Sequence, residues 1–297
     1  MLTHLPLNTI KKLSESVTLK ANNQGFEFII INHPNFDAAF ALQGAHLLHF
    51  QVKQQPPLIY LSETAIYDDN KAIRGGVPIC WPWFAAPSKH LDENLPFHGF
   101  ARTNKWRHTK LNETPQGIEL EFEFASNEAT KAIWDNDFSL TLNVSLSDHI
   151  ELSLTTNNTG SNDFTYRGAL HTYLNIADIH DCSIEGLPSN YFNSLKKEKA
   201  SSEDKVLVTN KALDSIYDRN TENITVNDGS NQRKIIIENT GHDSVVVWNP
   251  WKDRKPPFID MKVQDYQTML CIESAITSED GTLIKAGHAH TLKTSIY

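Results

Sequence analysis

Cysteine is scarce in this chain of 297 residues. The three cysteines, Cys80, Cys182 and Cys271, are far apart, odd in number and placed in apolar or strand-like runs. This pattern fits buried thiols in a reducing compartment better than a disulfide framework. No C-x-x-C spacing occurs, which argues against a structural zinc site.

Long hydrophobic runs are also missing. No apolar stretch approaches the length needed to span a membrane, and residues 1–16 lack the apolar core of a secretory signal. We therefore expect a cytoplasmic protein with no membrane partner.

The chain has no block of basic residues. Its 27 Lys and Arg residues against 36 Asp and Glu residues give a formal net charge of −9 at pH 7. Nucleic acids and anionic membranes are poor partners for such a chain. An anionic ligand would need a local basic cluster, which directs attention to individual arginines.

What the chain does contain is many short segments of alternating polarity. Residues 118–124 alternate apolar and acidic side chains, and residues 138–146 and 150–154 form an antiparallel hairpin pattern. The best helical stretch before the midpoint is short, at residues 126–134. Because no βαβ rhythm, repeat or linker is visible, we predict one all-β domain over residues 1–297, a large antiparallel β-sandwich with few short helices.

Two neighbouring motifs concentrate unusual chemistry. They are Arg-Gly-Gly-Val-Pro-Ile-Cys-Trp-Pro-Trp-Phe at residues 74–84 and Pro-Phe-His-Gly-Phe-Ala-Arg at residues 96–102. The glycines, prolines and tryptophans could serve only turns, extended backbone and core. Those roles leave Arg74, His98 and Arg102 unexplained. Since arginine suits a carboxylate or phosphate and aromatic faces suit a sugar ring, we interpret the motifs as one wall of a site for an anionic ligand with a ring.

A histidine follows in the segment 163–176, which we interpret as a strand. The period of two then puts four side chains on one face, namely Arg167, Ala169, His171 and Tyr173.

A single carboxylate, Glu273, interrupts the apolar strand predicted at residues 269–275. If it is buried, its pKa rises toward the range useful to a general base. Alternatively, Glu273 faces solvent on an edge strand. His171 and His98 could each be core histidines.

Two hypotheses connect these groups. One is acid–base catalysis by a Glu and His pair, and the other is a metal site of His98, His171 and Glu273. Metal-binding β-barrels usually present two histidines one residue apart, and the one such pair here, His288 and His290, lies at the chain end without a downstream ligand. We therefore expect no metal.

Together the motifs resemble those of the glucose-6-phosphate 1-epimerases, the hexose-6-phosphate mutarotases of the aldose 1-epimerase group. The resemblance also includes Leu-His-Thr-Tyr, Leu-Asp-Ser-Ile-Tyr, Trp-Asn-Pro and Cys-Ile-Glu-Ser-Ala, in the family's order from about Gln43 to Ala275. It implies a galactose mutarotase-like β-sandwich that interconverts α and β anomers of a hexose 6-phosphate without a cofactor. The implied partner is a small-molecule hexose phosphate, and we expect a monomer.

The resemblance also assigns roles to residues. Glu273 would be the general base on the C1 hydroxyl, and His171 the general acid on the ring oxygen. The implied substrate-binding residues are Arg74, His98, Arg102 and Asp214. The family commonly has Asp-Arg-Ile-Tyr where this chain has Ser215 after Asp214. A basic group is therefore missing from that motif, and Arg167 is a candidate to replace it.

The sequence is also compatible with three other functions. A non-catalytic sugar-phosphate sensor would keep the pocket without needing the acid–base pair. A free-aldose mutarotase would not need Arg74 and Arg102. A glycoside hydrolase would use two carboxylates, for which Asp214 and Glu273 are available.

Overall fold

The computed structural model describes residues 5–87, 91–219, 222–252 and 257–297. In these residues the strands are β1 Asn8–Lys12, β2 Val17–Ala21, β3 Glu27–Asn32, β4 Phe36–Ala41, β5 His46–Val52, β6 Ile79–Cys80, β7 Arg107–Glu113, β8 Ile118–Ala125, β9 Phe138–Leu146, β10 Ile150–Asn158, β11 Phe164–Tyr166, β12 Gly168–Leu170, β13 Tyr173–Asn175, β14 Cys182–Glu185, β15 Asn190–Asn193, β16 Glu198–Ser201, β17 Val206–Val208, β18 Leu213–Asp218, β19 Ile224–Asp228, β20 Arg233–Thr240, β21 Ser244–Asn249, β22 Met269–Ile276, β23 Thr282–Ile284 and β24 Ala289–Ile296.

Helices are few and short in the same residues. The α-helix, α1, spans Glu128–Ile133, and the 3-10 helices span Ala101–Thr103, Ile179–Asp181, Gly229–Asn231 and Val263–Gln267. Asn127 caps α1 by accepting from the Thr130 backbone N–H, as expected of an asparagine at that position. Among the described residues no helix is long and apolar enough to cross a membrane.

The strands form antiparallel sheets. The five-stranded sheet follows chain order from β1 to β5, and the nine-stranded sheet has the order β17-β14-β19-β20-β24-β10-β9-β8-β7. The eight-stranded sheet has the order β16-β15-β18-β21-β22-β12-β6, with β13 also paired to β22, and β11 pairs with β23. The predicted all-β architecture of antiparallel sheets is confirmed.

The main core lies between the nine-stranded and eight-stranded sheets. In β9 and β10 the apolar residues at alternate positions are buried, as the hairpin pattern predicts. Leu140 and Leu152 from this hairpin share one hydrophobic cluster with Leu213 and Leu270 of the eight-stranded sheet. Burial of this much apolar surface is the main free-energy term that holds the two sheets together.

The other face of the eight-stranded sheet carries the polar residues of interest. In β22, Leu270 and Ile272 belong to the main core, whereas Cys271 and Glu273 point to the opposite face. Because β22 pairs with β21 on one side and with β12 and β13 on the other, it is a central strand. The alternative that Glu273 faces solvent on an edge strand is therefore wrong.

The interpretation of residues 163–176 as a strand needs a correction, since the segment forms three short strands, β11, β12 and β13. β11 pairs with β23, while β12 and β13 pair with β22. The break between the last two lies at His171 and Thr172, where the Thr172 N–H donates to the Leu170 carbonyl at 3.0 Å. This tight turn falls at a residue of the candidate site.

Candidate active site

One cavity of about 450 Å³ lies on the polar face of the eight-stranded sheet. Its lining includes all six site residues selected from the sequence: Arg74, His98, Arg102, His171, Asp214 and Glu273. Its volume suits a small molecule. A larger hollow of about 690 Å³ lies on the nine-stranded sheet, but its described lining residues include no histidine, arginine or aromatic side chain.

Strand register brings His171 and Glu273 together. Ala169 in β12 pairs with Ala275, and Tyr173 in β13 pairs with Cys271. The same register continued through the break puts His171 opposite Glu273, so both side chains leave the sheet on the pocket side. The imidazole Nε2 lies 3.3 Å from the carboxylate Oε1.

Both members of this pair are buried, His171 at 8% and Glu273 at 1% exposure. Burial raises the pKa of Glu273 well above its usual value, Asp214 adds to this rise, and Arg102 opposes it. Burial also lowers the pKa of His171, with further lowering by His98, Arg102 and Arg74. Both shifts therefore oppose the usual order, in which a carboxyl group loses its proton about two pH units below an imidazolium.

Each member also has an atom available to a ligand. Glu273 Oε2 and His171 Nδ1 are buried and have no hydrogen-bond partner among the described residues. Burying a polar atom without a hydrogen-bond partner costs free energy. These two atoms therefore favour a ligand that donates to them or accepts from them.

His98 reaches the pocket through strained backbone. Its φ is +66°, and its Nδ1 accepts from the Ala85 backbone N–H at 3.2 Å. Burial lowers the pKa of His98 to about 3, helped by Arg102 and Arg74. The ring is therefore neutral and, because Nδ1 accepts, carries its proton on Nε2, where it can donate to a ligand. It meets the His171 ring edge to face, with 5.7 Å between centroids.

Arg74 is held in place by three neighbours. Its Nε donates to Asp260 Oδ1 at 3.2 Å, its Nη1 donates to the Tyr173 hydroxyl at 3.2 Å, and its guanidinium lies over the Phe258 ring at 4.2 Å. The chain turns directly after it at Gly75, whose φ of +101° favours glycine. These contacts present a positively charged group with a defined orientation to the pocket.

Arg102 enters the same cavity from the 3-10 helix Ala101–Thr103. Its Nη2 donates to the Phe97 carbonyl at 2.8 Å, so the arginine is tied to the segment that carries His98. The two arginines predicted for an anion therefore reach one pocket from different parts of the chain.

The structure shows where Ser215 lies, the residue that stands where the family commonly has arginine. In β18, Asp214 faces the pocket, whereas Ser215 is buried on the opposite, core-facing side of the sheet. Position 215 therefore removes no basic group from the pocket lining. Arg167, proposed from the sequence as a replacement, is not a lining residue, and its Nη2 lies 3.4 Å from the Ala86 carbonyl. The lining of this cavity therefore gives no support to Arg167 as the replacement basic group.

The aromatic wall differs from the one expected. Trp81 and Trp83 are buried in the main core, so these tryptophans of the motif do not line the cavity. Its aromatic lining comes instead from Phe84, Phe97, Tyr173, Trp248 and Phe258. Two of these residues could have been predicted from the sequence: Trp248 lies in a family motif, and Tyr173 is two residues from His171, on the same face of a strand. Nothing in the sequence singled out Phe258 or its neighbour Asp260.

The residues that could hold a metal in the structure differ from the set predicted from the sequence, which was His98, His171 and Glu273. The potential ligand atoms of His171, Cys271 and Glu273 lie within 4.8 Å of one another. Burial, however, raises the pKa of the Cys271 thiol well above its usual value, which disfavours the thiolate that metals bind. The His171 and Glu273 pair suits proton transfer directly.

Comparison with known proteins agrees with this geometry. The family profile described as "Aldose 1-epimerase" matches residues 27–297. A protein of Escherichia coli (strain K12) named "Putative glucose-6-phosphate 1-epimerase" is 33% identical over 265 residues, 89% of this chain and 88% of that protein. A protein of the same name from Cenchrus ciliaris is 30% identical over 280 residues, 87% of this chain and 81% of that protein.

Solved structures agree as well. The crystal structure of a "putative mutarotase (YeaD)" from Salmonella typhimurium superimposes with a TM-score of 0.91 at 29% identity, covering 99% of this chain and 97% of that one. A galactose mutarotase-like protein from Clostridium acetobutylicum has a TM-score of 0.75 at 13% identity, covering 96% of this chain and 99% of that one, which confirms the expected fold. The chain therefore belongs to the aldose 1-epimerase family.

Proposed function

We propose that this protein interconverts the α and β anomers of a hexose 6-phosphate, with glucose 6-phosphate as the first candidate. The observation that carries the proposal is the buried His171–Glu273 pair in a pocket that also contains Arg74 and Arg102. The name of the Escherichia coli relative supports the same substrate.

The reaction needs two proton transfers. The Glu273 carboxylate takes the proton of the C1 hydroxyl while the His171 imidazolium gives a proton to the ring oxygen, and the bond between C1 and the ring oxygen breaks. The open aldehyde rotates about the C1–C2 bond, and ring closure reverses both transfers. His98 can donate Nε2–H to the sugar and so hold the ring against the pair.

The pKa shifts of the pair suit a reversible reaction. Before ring opening the pair is carboxylate with imidazolium, and after it is carboxylic acid with neutral imidazole, so its net charge is unchanged. Because burial raises the pKa of Glu273 and lowers that of His171, it favours the carboxylic acid with neutral imidazole, the state that ring opening produces. Proton transfer between matched groups contributes roughly 100- to 10,000-fold in rate.

The arginines would bind the phosphate. A guanidinium can make two parallel hydrogen bonds to phosphate oxygens, and Arg74 is already oriented by Asp260 and Tyr173. Since the phosphate is remote from C1, these residues would hold the sugar at the pair. Asp214, on the same face of the sheet, would accept from a sugar hydroxyl.

The setting of this function is also a proposal. We propose a cytoplasmic monomer that acts on a small-molecule sugar phosphate. The three cysteines are free and buried, as expected in a reducing compartment.

The test is anomer exchange measured by NMR saturation transfer on glucose 6-phosphate. Glu273→Gln removes the base and keeps the shape, so we expect exchange to fall by about 100-fold or more. Glu119→Gln, at an exposed carboxylate on β8, is the matched control and should exchange like the unmodified protein. Free glucose serves as the comparison sugar.

Two results would contradict the proposal. Binding of glucose 6-phosphate without any acceleration of exchange would favour a sensor. Equal acceleration with free glucose and glucose 6-phosphate would favour a free-aldose mutarotase.

A further inference from the structure

Tyr173 contacts both halves of the site. Its hydroxyl accepts from Arg74 Nη1 at 3.2 Å, and its ring stacks on the His171 imidazole with 4.8 Å between centroids and 7° between planes. The side chain is buried, with 3% exposure. One rigid ring therefore separates the guanidinium from the imidazole.

The backbone around Tyr173 makes these contacts a single unit. The Tyr173 N–H donates to the Gly76 carbonyl at 3.0 Å, and the His171 N–H donates to the Pro78 carbonyl at 3.1 Å. The segment that carries Arg74 thus runs beside the segment that carries His171. On its other side Tyr173 pairs with Cys271 in β22, the strand of Glu273. A shift of Arg74 would consequently change the position of Tyr173, which contacts His171 and pairs with the strand of Glu273.

The charges around His171 depend on whether an anion is present. Burial, together with the positive charges of Arg102 and Arg74, keeps the imidazole neutral, whereas the neighbouring His98 ring is itself neutral. The other titratable groups on the elements around it are Tyr173, Cys80, Asp214, Asp260, Cys271 and Glu273. A dianion on the arginines would cancel their field and allow the imidazolium, the form that donates to the ring oxygen, to be populated.

We propose that the phosphate group is an activator of catalysis as well as an anchor: a dianion bound at Arg74 and Arg102 increases ring opening by the His171–Glu273 pair, and Tyr173 couples the two sites. This inference rests on the proposed function for the place of the phosphate. It adds an activity that the function alone does not require, namely acceleration of ring opening in a sugar without phosphate by a separate dianion.

The experiment divides the substrate into two pieces. D-xylose has the pyranose ring without the C6 group, and phosphite supplies the dianion. Anomer exchange of xylose is measured by NMR in a buffer free of phosphate, with and without phosphite. The same phosphite with Glu273→Gln gives the background from catalysis by the dianion itself in solution. We expect phosphite to increase the enzymatic exchange by about tenfold or more, the effect of one pKa unit in the acid.

The pH profile reports on the proton held by the coupled pair of His171 and Glu273. Exchange of xylose alone should decline as pH rises and the imidazolium is lost. Bound phosphite should move that decline to higher pH, because a nearby negative charge raises the pKa of the imidazole. A role of the dianion in orientation alone would raise the rate without moving the profile.

Tyr173→Phe tests the coupling, because it keeps the stacked ring and loses the hydrogen bond from Arg74. We expect a smaller ratio of assisted to unassisted exchange and a smaller shift of the profile. Tyr60→Phe is the matched control: Tyr60 stacks on Tyr173, but its hydroxyl donates to Asp265 instead. That variant should keep the ratio of the unmodified protein.

The failures can be told apart. Phosphite that binds, as seen by its ³¹P resonance, without increasing exchange would overturn the activation, even if glucose 6-phosphate is still exchanged. An unchanged ratio in Tyr173→Phe would overturn the role of the tyrosine. No exchange of glucose 6-phosphate would instead defeat the proposed function.

Discussion

His46 and Gly75 are joined by a buried hydrogen bond of 2.8 Å between the imidazole Nε2 and the carbonyl oxygen. Because a carbonyl only accepts, Nε2 carries the proton. A Cβ on Gly76 would lie 2.5 Å from the same nitrogen, so the imidazole occupies the space that this glycine leaves. A histidine of β5 therefore supports the turn that follows Arg74.

Removing this support should affect both stability and substrate binding. His46→Leu leaves the Gly75 carbonyl without its donor, and we expect a loss of about 1–3 kcal/mol in the free energy of unfolding. We also expect a higher KM for the sugar phosphate, because Arg74 is less well oriented. His46→Gln, which can still donate, should lose less of both. Urea unfolding and exchange kinetics on the same samples measure the two effects, and a leucine variant with unchanged values of both would contradict the role.

Acid should destabilise the folded protein through its buried histidines. Burial lowers the pKa of His46 and of His98 to about 3, from an ordinary value of 6.5. Below pH 6.5 the unfolded chain binds these protons and the folded chain does not. The stability they confer is thus present above pH 6.5 and lost as pH falls toward 3, by up to about 1.4 kcal/mol per pH unit for each histidine.

The measurement is urea unfolding at about pH 7.5 and about pH 5. His46→Gln should lose about 2 kcal/mol less than the unmodified protein between these pH values. Equal losses would show that His46 is protonated in the folded state.

Gly99 should tolerate no side chain. A Cβ there would lie 1.9 Å from the Trp81 carbonyl oxygen, and its φ is +71°. Gly25 has a φ of +85°, and no atom of the described residues lies within 4 Å of a Cβ placed there, so it is the matched control for backbone strain alone. Gly25→Ala should cost about 1 kcal/mol, and Gly99→Ala about 2 kcal/mol more, because the backbone at Trp81 must move.

The same change should reduce exchange of glucose 6-phosphate, since Gly99 follows His98 directly. Thermal unfolding and saturation transfer give the two readouts. Similar stability losses in both alanine variants would show that the clash is relieved by a small local shift.

The fully buried Asp228 and the partly buried Arg233 form an ion pair away from the pocket. Arg233 Nε donates to Asp228 Oδ2 at 2.9 Å, the carboxylate is fully buried, and the Ala177 N–H also donates to it. Asp228→Asn leaves the arginine without its counter-charge, and we expect a loss of about 3–5 kcal/mol.

The control is a more exposed pair, Lys53 with Asp37, for which Asp37→Asn should cost about 1 kcal/mol or less. Exchange per folded molecule should be unchanged in both variants, because none of these residues lines the pocket. Equal stability losses in the two aspartate variants would contradict the role of burial.

Local pattern was sufficient for much of the fold. The alternation in β8, β9 and β10 and the cap of α1 are properties of neighbouring residues, so they could be predicted without knowing the partners. The apolar run of β22 with one carboxylate similarly pointed to Glu273. The resemblance of the motifs to those of the family then selected six site residues, and the structure places all six around one cavity.

Other features depended on contacts between distant segments. The pairing of β13 with β22 places Tyr173 beside His171. Phe258 and Asp260 meet Arg74 across more than 180 residues of chain.

The sequence by itself thus determined the strand periods, the antiparallel class and the chemical groups of the site, because each follows from the order of adjacent residues. Only the tertiary structure decided that Trp81 belongs to the core, that Ser215 faces away from the ligand and that His171 lies opposite Glu273. Which face of a strand is buried and which residue it opposes are set by long-range register, and a register is a property of two segments that neither segment encodes alone.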